Sequence, residues 1–171
     1  MGGNINWDKK QNECLSDLGY NVYQVEFPKD HRKFIAWAKR FDFSKMSRPI
    51  YCIGRSSGGY LARLFLTLHS GTISKTVYIC PVFRPFTRCR LKPKFKGKTM
   101  EFFGRTTPIS TESFDEDKEL LMLASRDENV PRDCFTDEQL DNALFLGPVS
   151  HTGMLGSTSG AFKKEIVGFL R

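Results

Sequence analysis

The stretch at residues 49–68, PIYCIGRSSGGYLARLFLTL, constrains this chain more than any other part of its sequence. A short run of β-branched and aromatic residues leads into Gly54, the turn continues to Gly58, and an apolar helical pattern follows at once. The pattern predicts a strand, a tight turn and a helix. Because glycines on both sides of Ser56 leave room for a sharp bend, Ser56 is a candidate nucleophile. The alternative is a glycine-rich turn that binds a phosphate or only packs tightly.

The size and composition of the chain predict one folded domain over residues 1–171. With 171 residues, 40% of them hydrophobic, the chain is long enough to bury a sizeable core. It has no apolar run of membrane-spanning length and no signal-peptide core, so we expect a cytoplasmic protein. The five cysteines form no CxxC pair, which favours reduced thiols and predicts neither a zinc site nor a cofactor. The oligomeric state stays open, a homo-oligomer included.

The apolar periodicity predicts helices that alternate with strands. Strands are predicted at residues 20–27, 50–53, 76–80, 119–124 and 143–147. Helices are predicted at residues 7–18, after Asp30, at 60–69, beside a capping box of Thr136 and Gln139, and at 160–170. This order is typical of a compact α/β fold, a mostly parallel sheet of about five strands with helices on both faces.

Two polar residues follow the last two predicted strands, at the edge of a parallel sheet where ligands bind. Asp127 comes three residues after Ala124, and His151 comes four residues after Gly147. With Ser56 they give the chain order serine, acid, histidine, each in a loop that leaves a strand. The three residues are therefore the candidate catalytic group.

Each member of this group has competitors. Glu128 and Asp133 are also acids near the same strand, and Asp127 is preferred for its position next to that strand. Of the histidines, His31 begins a helix and His69 ends one, which leaves His151 as the loop histidine. An ordinary turn aspartate and an exposed loop histidine remain the alternatives.

The segments GRSSGGYLARLF, LLMLASRDENVP and LFLGPVSHTGM resemble, in that order, the nucleophile elbow, acid loop and histidine loop of the α/β-hydrolase superfamily. GGNINW near the start is similar to the oxyanion loop of the esterases and lipases in that superfamily. The resemblance implies that Ser56 is the nucleophile, His151 the general base and Asp127 its acid partner. It also implies an oxyanion hole formed by the backbone N–H groups of Ser57 and of the Gly2 and Gly3 loop.

The resemblance implies one further strand, immediately before the oxyanion loop and between the strands predicted at residues 20–27 and 50–53. The sequence given starts with the loop itself. We expect that these two strands close up, that a partner chain inserts a strand, or that the chain is a shortened form.

The formal charge of +7 is concentrated in one segment. The segment at residues 84–98 contains no acid and carries Arg84, Arg88, Arg90, Lys92, Lys94, Lys96 and Lys98. It lies within an excursion, at about residues 83–118, in the position of a hydrolase lid. It is either a solvated loop or a site for an anionic substrate, a lipid head group or another polyanion.

Two functions therefore follow from the sequence. The first is a serine hydrolase that cleaves a small carboxylic ester or thioester through an acyl-enzyme on Ser56. The second is a non-catalytic relative that binds an anionic partner through residues 84–98.

Overall fold

The computed structural model describes residues 5–26, 28, 33–83, 114–130, 132–155 and 159–171. The strands are β1 (Ile50–Arg55), β2 (Ile73–Ile79), β3 (Glu119–Arg126) and β4 (Ala143–Ser150). The helices are α1 (Ile5–Asp17), α2 (Phe34–Lys39), α3 (Ser57–Leu68), α4 (Asp137–Asp141), α5 (His151–Leu155) and α6 (Gly160–Leu170), with a 3-10 helix at Arg132–Cys134.

All four strands lie in one parallel sheet, in the order β1-β2-β3-β4. Each strand follows its neighbour in both sequence and space, and helices form part of the connections described. Because the strands are parallel, their carboxyl ends share one edge of the sheet. The predicted α/β fold is confirmed, and the described residues form four strands where about five were expected.

Alternate strand side chains enter two apolar clusters, one on each face of the sheet. The first cluster contains Tyr78, Leu121 and Leu123, which pack with buried residues of α2 and α3. The second contains Val77, Ile79 and Met122 and is covered by the buried face of α6, namely Phe162, Ile166 and Leu170. Helices therefore cover both faces, as the apolar stripes of α3 and α6 predict.

The predicted strand at residues 20–27 is wrong for the residues described, because residues 20–26 belong to no strand. Tyr20 packs against the second cluster, whereas Val25 packs against the first. The segment thus crosses from one face of the sheet to the other at the β1 side, with Tyr20 in edge-to-face contact with Tyr51. A segment that crosses between faces does not run alongside β1, so its apolar alternation does not lead to strand pairing.

Several predicted boundaries also change. The helix α3 begins at Ser57, directly after the candidate nucleophile, and β4 continues to Ser150. His151 is consequently the first residue of α5 and not a loop residue. The capping box of Thr136 and Gln139 is confirmed, since each side chain accepts a hydrogen bond from the other residue's backbone N–H.

Gly2, Gly3 and the basic segment at residues 84–98 lie outside the described residues. Within the described ranges, none of the helices combines the length and apolar composition needed to cross a lipid bilayer.

Candidate active site

Each of the four strands is followed directly by a residue with a reactive side chain. Ser56 follows β1, Cys80 follows β2, Asp127 follows β3 and His151 follows β4. The parallel arrangement brings these positions to one edge of the sheet. Three of the four are the residues that the sequence predicts for the catalytic group, and Cys80 is an addition.

Ser56 occupies the sharp bend between β1 and α3, with φ of 48° and ψ of −121°. A non-glycine residue rarely adopts a positive φ, so such strain persists only where the surroundings enforce it. A Cβ atom at Gly54 would lie 2.6 Å from the Ala62 Cβ, and one at Gly59 would lie 2.3 Å from the Pro81 Cβ. The glycines therefore let β1, α3 and residue 81 approach closely enough to form the bend.

Backbone hydrogen bonds hold Ser56 against the segment that follows β2. The Ser56 N–H donates to the carbonyl of Ile79 at 3.0 Å. The Ser56 carbonyl accepts from the N–H of Val82 at 3.0 Å and from that of Gly59 at 2.9 Å. The backbone of Ser56 is therefore fixed on both sides, while its side chain extends from the bend.

The His151 side chain lies between Ser56 and Asp127. Its Nε2 is 3.3 Å from the Ser56 Oγ, and its Nδ1 is 2.8 Å from the Asp127 Oδ2. The tautomer that satisfies both contacts carries its proton on Nδ1, donates it to the carboxylate and accepts the serine hydroxyl at Nε2. His151 is only 5% exposed, so the ring is held in place and largely shielded from water.

Asp127 uses both oxygens of its carboxylate. Its Oδ1 accepts the backbone N–H groups of Asn129 and Val130, both at 2.8 Å, and its Oδ2 faces His151. Burial opposes ionisation of the carboxyl, but the hydrogen bonds and the charge of His151 outweigh it and lower the pKa of Asp127. Asp127 is therefore ionised at neutral pH and presents a negative charge to the ring.

The competing acids occupy other positions. Glu128 is exposed, and its Oε2 accepts the backbone N–H of His151 at 2.9 Å, so it contacts the main chain and not the ring. The side chain of Asp133 lies outside the described part of the structure. Of the three acids, Asp127 is the one with a described contact to the imidazole.

Of the other histidines and the predicted oxyanion donors, His69 and Ser57 lie within the described residues. The Nε2 of His69 lies 2.8 Å from the carbonyl oxygen of Ala38, and its ring packs on Phe43, so His69 joins α2 to α3. His31 lies outside the described residues, as do Gly2 and Gly3. Ser57 is the first residue of α3, a position whose backbone N–H has no partner within the helix.

Cys80 is not among the residues that the sequence predicts for this site, because a cysteine at the end of an apolar run is typical of a small buried residue. It is fully buried with φ of 43°, and its Sγ lies within 4.8 Å of ligand atoms of Asp127 and His151. These three residues are the group of His, Cys, Asp and Glu side chains, among those described, that could hold a metal ion. In this structure Asp127 and His151 form a hydrogen-bonded pair at 2.8 Å. The signal in the sequence that could have identified Cys80 is its position at the end of an apolar run and directly before Pro81.

Comparisons with known proteins support the fold. No protein-family model matches the chain, and no curated protein matches it in sequence. A solved structure described as "Structure of a thermophilic esterase" is similar over 88% of this chain and 75% of that chain, with 13% sequence identity and a TM-score of 0.55. At that identity the likeness shows a shared α/β fold, and the chemistry of this site has to be argued from its own residues.

Proposed function

We propose that this protein is a serine hydrolase that cleaves a small carboxylic ester or thioester, with Ser56 as nucleophile, His151 as general base and Asp127 as its acid partner. The observation that carries the proposal is the position of the His151 ring, which has one nitrogen 3.3 Å from the Ser56 Oγ and the other 2.8 Å from the Asp127 Oδ2. The fold shared with an esterase adds support.

The first half of the proposed reaction forms an acyl-enzyme. The Ser56 Oγ attacks the carbonyl carbon of the substrate while its proton moves to the His151 Nε2. The tetrahedral intermediate then collapses, the bond to the leaving alcohol or thiol breaks, and His151 returns the proton to that group. Ionised Asp127 stabilises the protonated ring between these two transfers.

The second half releases the acid. A water molecule gives a proton to the His151 Nε2 as its oxygen attacks the acyl carbon. The bond to the Ser56 Oγ then breaks, and that oxygen recovers a proton from His151. Because His151 alternates between base and acid, a neutral ring is needed at the start of each half.

The negative charge on the substrate oxygen needs donors that point at it. The backbone N–H of Ser57 is the proposed first donor, since it lies at the N-terminus of α3, where the helix dipole also favours a negative charge. The Gly2 and Gly3 backbone is the proposed second donor. Loss of one such donor typically lowers kcat by about 10²- to 10³-fold.

The test is hydrolysis of a p-nitrophenyl acyl ester together with labelling by a fluorophosphonate probe, which reacts with an activated serine. We expect the wild-type protein to be labelled and active, and Ser56→Ala to be unlabelled and slower by roughly 10⁴-fold or more in kcat. Ser70→Ala is the matched control, because Ser70 is exposed in the turn after α3 and should stay active.

An unlabelled wild-type protein, or a Ser56→Ala variant as active as the wild type, would contradict the proposal. Salt-sensitive binding of the unlabelled protein to anionic vesicles or to a nucleic acid would then favour the alternative hypothesis, a non-catalytic protein that binds an anionic partner through residues 84–98.

A further inference from the structure

Cys80 directly follows β2, just as each of the three candidate catalytic residues directly follows one of the other strands. Since β2 lies between β1 and β3, the residue after it is the one that sits between the serine bend and the acid. Like Ser56, it has a positive φ without being glycine, 43° against 48°. The proposed reaction gives it no role, although it is fully buried beside two of the proposed groups.

The backbone of Cys80 is fixed on both sides. Its N–H donates to the carbonyl of Met122 on β3 at 2.8 Å. Its chain neighbour Ile79 accepts the Ser56 N–H, and Val82 donates to the Ser56 carbonyl. The segment after β2 therefore holds the nucleophile through its backbone, and this fixes where the Cys80 side chain points.

The thiol is held in its protonated form. Burial, followed by the negative charge of Asp127, raises the pKa of Cys80 well above its ordinary value. The Cys80 Sγ lies within 4.8 Å of a carboxylate oxygen of Asp127 and of a ring nitrogen of His151. A neutral S–H group is a weak donor, and an ionised carboxylate is a strong acceptor.

We propose that Cys80 is a positioning residue of the catalytic site, whose S–H group donates a hydrogen bond to Asp127 and so sets the orientation and acceptor strength of the carboxylate that faces His151. This role rests on the proposed serine hydrolase function. Cys80 acts through Asp127, as the two backbone N–H groups at Oδ1 do.

The role predicts a change that loss of packing alone would not cause. Without the thiol donor, Asp127 accepts more strongly from His151 and holds a protonated ring more firmly. As the pH is lowered, the ring would then stop acting as a base at a higher pH than in the wild-type protein. Cys80→Ala should move the acidic limb of the kcat/KM profile upward by about half a pH unit and lower kcat/KM about two- to tenfold. Cys80→Ser retains a donor, so it should leave the limb near its wild-type position.

The hydrogen bond itself is measured by infrared spectroscopy of the S–H stretch. In the wild-type protein the Cys80 band, assigned by its absence in Cys80→Ser, should lie at a lower frequency than a free thiol band. Asp127→Asn leaves Cys80 intact and should shift the band back toward the free value. The band of buried Cys14 on α1, assigned with Cys14→Ala, is the control and should not respond to Asp127→Asn.

The outcomes separate this role from the proposed function. Two results together support the inference. The S–H stretching frequency of Cys80 lies below that of a free thiol, and the acidic limb of the kcat/KM profile moves in Cys80→Ala but not in Cys80→Ser. Either of two results in an active hydrolase overturns this role alone. The Cys80 band lies at the free-thiol frequency, or the acidic limb of the kcat/KM profile is the same in Cys80→Ala and Cys80→Ser. A wild-type protein without hydrolysis or fluorophosphonate labelling overturns the proposed function, and the positioning role of Cys80 with it, whatever the band shows.

Discussion

The sheet carries two buried polar clusters, one at the carboxyl ends of its strands and one beneath α3. The first contains Ser56, Asp127 and His151, with Cys80 beside them. The second, which we call the ion-pair cluster, contains Arg63, Glu119 and Tyr78. Both join residues far apart in the sequence, so both depend on the same fold.

The two clusters differ in how their charges are matched. In the ion-pair cluster the Arg63 guanidinium meets the Glu119 carboxylate, with side chains 7% and 3% exposed, and the Tyr78 hydroxyl donates to the same carboxylate at 2.6 Å. Burial raises the pKa of Tyr78, which therefore remains a neutral donor. Positive charge meets negative charge, and no proton has to move.

The carboxyl-end cluster instead holds one ionised acid against the His151 imidazole, which in the proposed reaction has to accept and return a proton. Two of its residues, Ser56 and Cys80, have positive φ values, which the described ion-pair residues do not share. Strain and unmatched charge reduce stability and are found where chemistry occurs. The comparison therefore predicts that changes in the first cluster lower activity and changes in the second lower stability.

The largest effect is expected from Asp127→Asn in the carboxyl-end cluster. An amide no longer stabilises the charged ring and favours the wrong tautomer of His151, so kcat/KM for a p-nitrophenyl ester should fall about 10⁴-fold. The melting temperature should change little by comparison. Asp141→Asn, at an exposed position on α4, is the matched control for loss of a carboxylate and should stay fully active.

The same variant has a defined pH dependence. Because the pKa of Asp127 is lowered in the folded protein, its ionised form stabilises the fold above the ordinary aspartate pKa, about 3.9, and this stabilisation is lost as the pH falls through the lowered value. The difference in free energy of unfolding between wild type and Asp127→Asn should be constant near neutral pH and shrink below about pH 4. A difference that grows on acidification would contradict the lowered pKa.

A smaller effect, on stability and not on chemistry, is expected from Arg63→Met in the ion-pair cluster. It leaves the buried Glu119 carboxylate without its cation, which typically costs about 3–5 kcal/mol. Urea unfolding should show this loss, while the variant that remains folded should still react with a fluorophosphonate. The double variant Arg63→Met/Glu119→Gln should recover part of the loss, since it also removes the uncompensated charge.

The exposed pair of Lys118 and Asp115, 3.1 Å apart, gives the control for burial. Lys118→Met should cost much less stability than Arg63→Met because water screens that pair. Equal losses for Arg63→Met and Lys118→Met, or a loss of labelling in folded Arg63→Met, would break the distinction between the two clusters.

Much of the carboxyl-end cluster could be predicted from the sequence, because local patterns encode it. The glycines around Ser56 and the apolar stripe of α3 are contained in one short stretch, and Asp127 and His151 follow apolar runs that form β3 and β4. Strand order then brings the three together. Their roles in catalysis remain a proposal that the Ser56→Ala experiment tests.

What could not be predicted depends on contacts between distant residues. The alternation at residues 20–27 is that of a strand, but pairing requires a neighbour in register, and Tyr20 and Val25 instead pack on opposite faces of the sheet. Cys80 appears in the sequence as one more apolar residue of its strand. Its position near Asp127 arises only because β2 and β3 are neighbours.

The smallest effect is expected at Glu128, where the carboxyl-end cluster meets solvent. Its Oε2 accepts the His151 backbone N–H at 2.9 Å, although the side chain is exposed. A glutamine retains a carbonyl acceptor at this position, so Glu128→Gln should change kcat/KM by less than about twofold. Glu128→Ala removes the acceptor and should lower kcat/KM about two- to fivefold, since a typical hydrogen bond contributes about 1 kcal/mol or less at an exposed site. If Glu128→Gln were instead as slow as Glu128→Ala, charge and not the hydrogen bond would be the property that matters. The carboxyl-end cluster would then act through two acids, and its contrast with the ion-pair cluster, where one acid meets one cation, would be greater.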